Sequence, residues 1–152
     1  MNNLEPTSGE FMGGVHRVPF RIYYEDTDTG NVVYHANYLR FMERGRTDFL
    51  RQINLGLSGL MADKKTGILF VVRGVEIDFL SSARLDEAII VETWVKRVSG
   101  AKLDMGQIVR TTDRILTRAT VRAAITNHQG RAQRFPKGVR EKLANLIIEQ
   151  DD

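Results

Sequence analysis

The chain has 152 residues, enough for one domain that buries roughly 70% of its unfolded surface without disulfide or metal staples. It has no cysteine, which excludes disulfides, thiolate metal sites and a cysteine nucleophile, and fits a reducing compartment. A net charge of +3 falls short of the bias of a dedicated nucleic-acid binder, and no apolar run is long enough to span a bilayer, so a soluble cytoplasmic protein is expected.

Residues 1–14 lack the apolar core of a signal peptide. With Pro6, Ser8, Gly9, Gly13 and Gly14 they read as a flexible leader ahead of a single domain over 15–150. Residues 15–24 read as a strand. From Tyr38 to Ile53, apolar residues at Tyr38, Phe41, Met42, Phe49 and Ile53 keep the 3.6-residue period of one long helix. Gly56 and Gly59 act as stop signals, and 57–67 reads as a loop or short helical turn. The period then changes to two: Val71, Arg73, Val75, Ile77 and Phe79 alternate with Val72, Gly74, Glu76, Asp78 and Leu80.

Residues 88–98 form a second long strand, Ser99-Gly100 turns the chain, and 102–112 follows with Leu103, Met105, Gln107 and Val109 on one face. Residues 116–126 continue the meander to a hairpin turn at 127–130. A short strand over 131–135 and a C-terminal helix over 138–148 complete the chain. A long antiparallel sheet must bury one face, and the only long helix available is 38–53. The expected class is therefore α+β, with the sheet wrapped around that helix. A free edge and an apolar outer face predict association into at least a dimer.

The densest chemistry lies between the first strand and the helix, in the stretch YYEDTDTGNVVYHANYLRFMERGR. Two acids, a glycine and a histidine stand where backbone N–H groups converge at a helix start. Asp28, two residues before Gly30, can present a carboxylate to a carbonyl, as base or nucleophile, or can simply cap an Asx turn. Gly30 would supply close approach and an unusual backbone angle. Asp26 reads as a loop holder and His35 as an orienting group or a plain loop histidine. Tyr34 and Asn37 would shape the pocket and cap the helix. Glu43 is the runner-up acid, with a buried pair to Arg46 as its plainer role.

These residues carry a resemblance. The order Tyr24, Glu25, Asp26, Thr27, Asp28, Gly30, Val32, Val33, Tyr34, His35, Asn37, Tyr38, Glu43 and Arg46, followed by an antiparallel meander, resembles the hotdog-fold thioesterases. The match is to the 4-hydroxybenzoyl-CoA thioesterase family, and within it to the bacterial YbgC type associated with the Tol–Pal system. It covers roughly 17–146, and the leader is its main departure.

The resemblance implies a hotdog fold and hydrolysis of acyl-CoA with no cofactor and no metal. Asp28 would be the catalytic aspartate, as general base or nucleophile, and helix N-terminal N–H groups near His35 would polarise the carbonyl. The implied active site lies at a dimer interface, in a homotetramer built as a dimer of dimers. Arg97, Lys102, Arg134 and Lys137 would meet the CoA phosphates, since Arg and Lys bind phosphate oxygens with charge-assisted hydrogen bonds. Phe41, Met42, Phe49, Met61 and Phe70 could line an acyl channel, although most read as core.

Rival readings are weaker. An aspartyl phosphoryl-transfer enzyme needs a parallel α/β fold, and a calcium loop would need a bidentate Glu where Asn37 stands. A non-catalytic hotdog module that binds acyl-CoA or acyl carrier protein stays open, because fold does not dictate function.

Overall fold

A computed structural model describes residues 4–150. The first three residues of the expected leader, and residues 151–152, lie outside that range. The elements run β1 (Glu10–Met12), β2 (Val15–Arg21), a 3-10 turn (Tyr24–Asp26), α1 (Asn37–Gln52), α2 (Leu57–Met61), β3 (Leu69–Phe79), β4 (Ala88–Val98), β5 (Lys102–Arg110), β6 (Ile115–Thr126) and α3 (Lys137–Ala144). The strands make one sheet in the order β1-β2-β4-β5-β6-β3, with every neighbouring pair antiparallel. The sheet curls around α1, which is the α+β hotdog arrangement expected.

Helix α1 is amphipathic by position. Tyr38, Phe41, Met42, Phe49 and Leu50 are buried, while Leu39, Arg40, Glu43 and Arg44 face outward. Gly45 lets the helix axis close on the sheet, because a Cβ there would lie 2.6 Å from Val91 Cγ1. The helix stops at Asn54, which takes the left-handed conformation at φ 62°, and Leu55 N–H returns to Leu50 O at 2.8 Å. The stop is thus made by Asn54 and not by Gly56 or Gly59. One core half, with Ile22, Val33, Tyr38, Met42 and Ile89, lies at the start of α1. The other, with Phe49, Ile68, Leu103, Ile125 and Leu143, lies at its end and takes in α3. Full burial of such side chains contributes about 1.5–3 kcal/mol each.

Three expectations need correction. The leader is not free chain throughout. Glu10–Met12 pairs with β2 across a hairpin whose turn contains Gly13 at φ 61°. Phe11 drives this, packing edge-on against His16 at 5.3 Å and Phe49 at 5.1 Å.

Residues 131–135 form no full strand. They make a single bridge, Ala132 to Thr126, and then Gln133 and Phe135 N–H bond to Ile125 O and Gly100 O. The C-terminal helix ends at Ala144, four residues early. Ile147 instead bridges Val95 in parallel, and Ile148 N–H donates to Val95 O, covering the β4 edge that β2 leaves open.

Candidate active site

Residues 22–36 form a small stitched loop. Its 3-10 turn is closed by Asp26, whose Oδ2 accepts Tyr23 N–H at 2.8 Å. The Asp26 carbonyl accepts twice more, from Tyr34 N–H at 2.9 Å and Asn37 Nδ2 at 3.0 Å. Asp26 is therefore the knot that ties the start of the loop to the start of α1. Thr27 bridges Val33, Val32 bridges Arg84, and Val33 N–H bonds Ala83 O. Below the loop, Tyr38 Oη accepts Ala83 N–H at 3.0 Å, and burial pushes its phenol above the ordinary value, so it stays neutral.

The floor under the loop is braced by Arg114. Its guanidinium donates to Ser81 Oγ, Ser82 O and Glu87 Oε1, fixing 81–87 against β6. The bond from Arg114 also holds the Glu87 carboxyl below its usual range.

Asp28 stands exposed at the tip. Its N–H donates to Val32 O and its carbonyl accepts Asn31 N–H, making a tight turn in which Asn31 takes φ 61°. Gly30 N–H donates to Asp28 Oδ1 at 2.7 Å, so one carboxylate oxygen is oriented by the backbone. The left-handed residue is Asn31, not Gly30. What Gly30 provides is room, since a Cβ there would lie 3.1 Å from Asp28 Oδ1.

The helix entry supplies donors. N–H groups of Asn37, Tyr38 and Leu39 turn back to the carbonyls of Tyr34, His35 and Ala36. The N–H groups of His35 and Ala36 donate to no acceptor among the described residues, immediately before α1. Asn37 does not cap the helix: the cap position is Ala36, and the Asn37 side chain is spent on Asp26. The exposed His35 ring lies 4.7 Å from Tyr34 and 5.8 Å from Phe79, edge-on to the latter. Within one chain no hydrogen bond joins His35 to Asp28 among the described residues.

Two cavities belong to the other end of the sheet. An apolar cleft of about 100 Å³ opens between α1 and the sheet, walled by Leu50, Leu57, Phe70, Val72 and Met105, with Glu43 and Arg46 among its lining. On the outer sheet face a cavity of about 500 Å³ collects Arg73, Arg97, Lys102 and Arg122 against Asp104. Arg97 and Lys102 are therefore brought together as expected. Arg134 and Lys137 do not line that cavity; Lys137 opens α3, and Arg134 lies beside the Gly100 turn.

The expected buried pair of Glu43 and Arg46 is not formed. Glu43 is exposed, and Arg46 Nη1 bonds Gln107 Oε1 at 2.9 Å. Phe41, Met42 and Phe49 are core, Phe70 lines the cleft, and Met61 is exposed. Arg73, Arg122 and the buried Gln107 were not singled out from sequence. Only Gln107 carried a signal, as the one polar residue on an otherwise apolar strand face.

The loop that carries Asp28 and the apolar cleft meet β3 toward opposite ends. His35, seven residues beyond Asp28, packs on Phe79 at one end of β3, and the cleft lies at Phe70 near the other. Nine residues of strand separate these ends by about 30 Å.

Sheet, central helix and stitched loop together make a hotdog domain, with the exposed Asp28 carboxylate on the loop that leads into the start of α1. The chain belongs to the thioesterase-like superfamily, whose pattern matches residues 23–143. It is 40% identical over 129 residues to the acyl-CoA thioesterase YbgC of Haemophilus influenzae, across 84% of this chain and 93% of that protein. Against the acyl-CoA thioester hydrolase YbgC of Escherichia coli O6:H1 it is 41% identical over 106 residues, 69% of this chain and 77% of that one. The fold matches the crystal structure of a probable thioesterase from Bartonella henselae with a TM-score of 0.77 and 36% identity, covering 80% of this chain and 99% of that chain.

Proposed function

We propose that this protein is an acyl-CoA thioesterase, releasing a carboxylic acid and free CoA. The observation that carries the reading is the Asp28 carboxylate, oriented by Gly30 N–H, in the same loop as the free N–H groups of His35 and Ala36. Water adds to the thioester carbonyl carbon while Asp28 takes its proton, and the oxyanion forms against the N–H donors. One such donor is worth about 3–4 kcal/mol in the transition state. The C–S bond then breaks, and the proton passes to the departing thiolate. Direct attack by Asp28, with water hydrolysing the resulting anhydride, reaches the same products.

The reading includes a dimer. Strand β3 is an outer strand with Val71, Val72 and Phe79 exposed, which suits pairing with a second β3. Antiparallel pairing would bring Asp28 and His35 of one protomer, at one end of β3, toward the apolar cleft of the other, which reaches Phe70 near the other end. The acyl group then enters the cleft, and Arg97 and Lys102, with Arg73 and Arg122 beside them, receive the CoA phosphates. Assembly into a homotetramer, a cytoplasmic location, a role beside the Tol–Pal system and acyl carrier protein as a second carrier rest on the resemblance. No helix among the described residues is long and apolar enough to cross a membrane.

The test is thiol release from a panel of acyl-CoAs in EDTA, wild type against Asp28→Asn. The chain has no cysteine to give background. Turnover should fall at least about 100-fold in the variant with the fold intact. Tight acyl-CoA binding without release in the wild type would favour the sensor or scaffold reading, and an active variant would move the acid to Glu43.

A further inference from the structure

A third cavity, of about 460 Å³, lies between β2 and the outward face of α1; it shares Asp26 and Asn37 with the stitched loop, but the thioesterase reading gives its arginines no role. Its floor is apolar, made by Pro19, Phe20 and the buried Phe41. Three guanidinium groups line it: Arg21 from the end of β2, and Arg40 and Arg44 from successive turns of α1. Arg40 and Arg44 are four residues apart on one helix face, a spacing at which like charges repel. Arg21 Nη1 is held by Asp86 O at 2.8 Å, Arg44 stands 6.0 Å over the Phe20 ring, and Arg40 has no hydrogen bond or ion pair among the described residues. Two acids, Glu25 and Asp26, also line the cavity, so three guanidinium groups against two carboxylates leave it a formal excess of one positive charge; Asp26 Oδ2 is further held by Tyr23 N–H.

We propose that this cavity is a second anion site, which binds a phosphoryl group carried by a small molecule or a lipid headgroup. Planar guanidinium forks match phosphoryl oxygens in pairs, and the apolar floor accepts whatever the phosphate is attached to. The site is distinct from the Arg97 and Lys102 cavity, which is built on the other flank of the sheet from residues of β3 to β6.

The test uses inorganic pyrophosphate by calorimetry and, separately, phosphatidylglycerol against phosphatidylcholine vesicles by co-sedimentation. The proteins are wild type, Arg97→Ala with Lys102→Ala, which removes the other phosphate cavity, and that variant carrying Arg40→Ala with Arg44→Ala as well. All four side chains sit on exposed residues, and circular dichroism verifies the fold. Binding by wild type and by the Arg97/Lys102 variant, weakened at least tenfold when Arg40→Ala and Arg44→Ala are added to that variant, supports the site. Pyrophosphate alone identifies a small-molecule phosphate, and anionic vesicles alone identify a headgroup. No binding by the Arg97/Lys102 variant, or binding by it that survives the added Arg40→Ala and Arg44→Ala, overturns it.

Discussion

Arg46 and Gln107 form the polar tie between α1 and the sheet: Arg46 Nη1 donates to Gln107 Oε1 at 2.9 Å. The amide cannot turn around. Its Nε2 donates to Met42 O at 2.9 Å and to Thr93 Oγ1 at 2.8 Å, so Oε1 must face the arginine. Burial lowers the Arg46 pKa, a direction that reflects the cost of withdrawing its charge from water, while Glu43 works the other way. Gln107→Leu should cost about 2 kcal/mol in denaturant unfolding, since it leaves a half-buried guanidinium without its acceptor. Adding Arg46→Met should recover part of that loss in a double-mutant cycle. Strict additivity of the two changes would show that the bond carries no coupling.

A second buried tie governs pH behaviour. His16 Nε2 lies 2.7 Å from Asp48 Oδ2, which also accepts Gly9 N–H at 2.7 Å, while Arg51 bonds Oδ1. His16 Nδ1 is buried with no partner among the described residues, so a second ring proton would have no acceptor. Burial accordingly holds the imidazole below its ordinary value, with Asp48 opposing. The unfolded chain takes up this proton near pH 6.5, whereas the folded chain resists it. This contribution to stability is therefore complete above about pH 6.5 and falls as pH drops below it. Denaturant midpoints at pH 7.5 and 5.5 should show the decline, and His16→Gln should flatten it. Parallel slopes in the two proteins would remove His16 as the cause.

Gly106 and Trp94 predict a packing defect with its own optical reporter. Trp94 is 2% exposed and lies over Gly106, where any Cβ would collide with the indole. Gly106→Ala should displace the ring and cost about 1–3 kcal/mol, the range for overpacking. Trp94 is the only tryptophan, so a red-shifted emission reports the displacement directly. Unchanged emission with unchanged stability would mean the ring has another berth.

The basic cavity on the outer sheet face makes a kinetic claim. Arg97→Ala with Lys102→Ala should raise KM for acyl-CoA more than it lowers kcat, the signature of lost uniform binding. Arg134→Ala, outside that cavity, should leave KM near the wild-type value. An effect of Arg134 larger than that of the pair would shift the phosphate site to the Gly100 turn.

Local signals set what could be read from the sequence alone. Helical periodicity located α1 to within one residue, and β-branched content with flanking turn residues marked β4 over Ala88–Val98. The order of residues from Tyr24 to Arg46 was likewise legible, because the loop and helix entry are contiguous in the chain. Tertiary structure decided everything that needs partners distant in sequence. It turned Phe11 from leader into a strand packed on Phe49, with Gly9 just before it held by Asp48, since apolar burial outweighs the turn propensity of neighbouring glycines. It gave Asn37 to Asp26 and not to the helix cap, and Arg46 to Gln107 and not to Glu43. It gathered Arg73, Arg97, Lys102 and Arg122 from four strands into one cavity, and set Asp28 at the opposite end of β3 from the apolar cleft. Sheet order produces these last relations, by pairing strands far apart in the chain, and no window of sequence contains it.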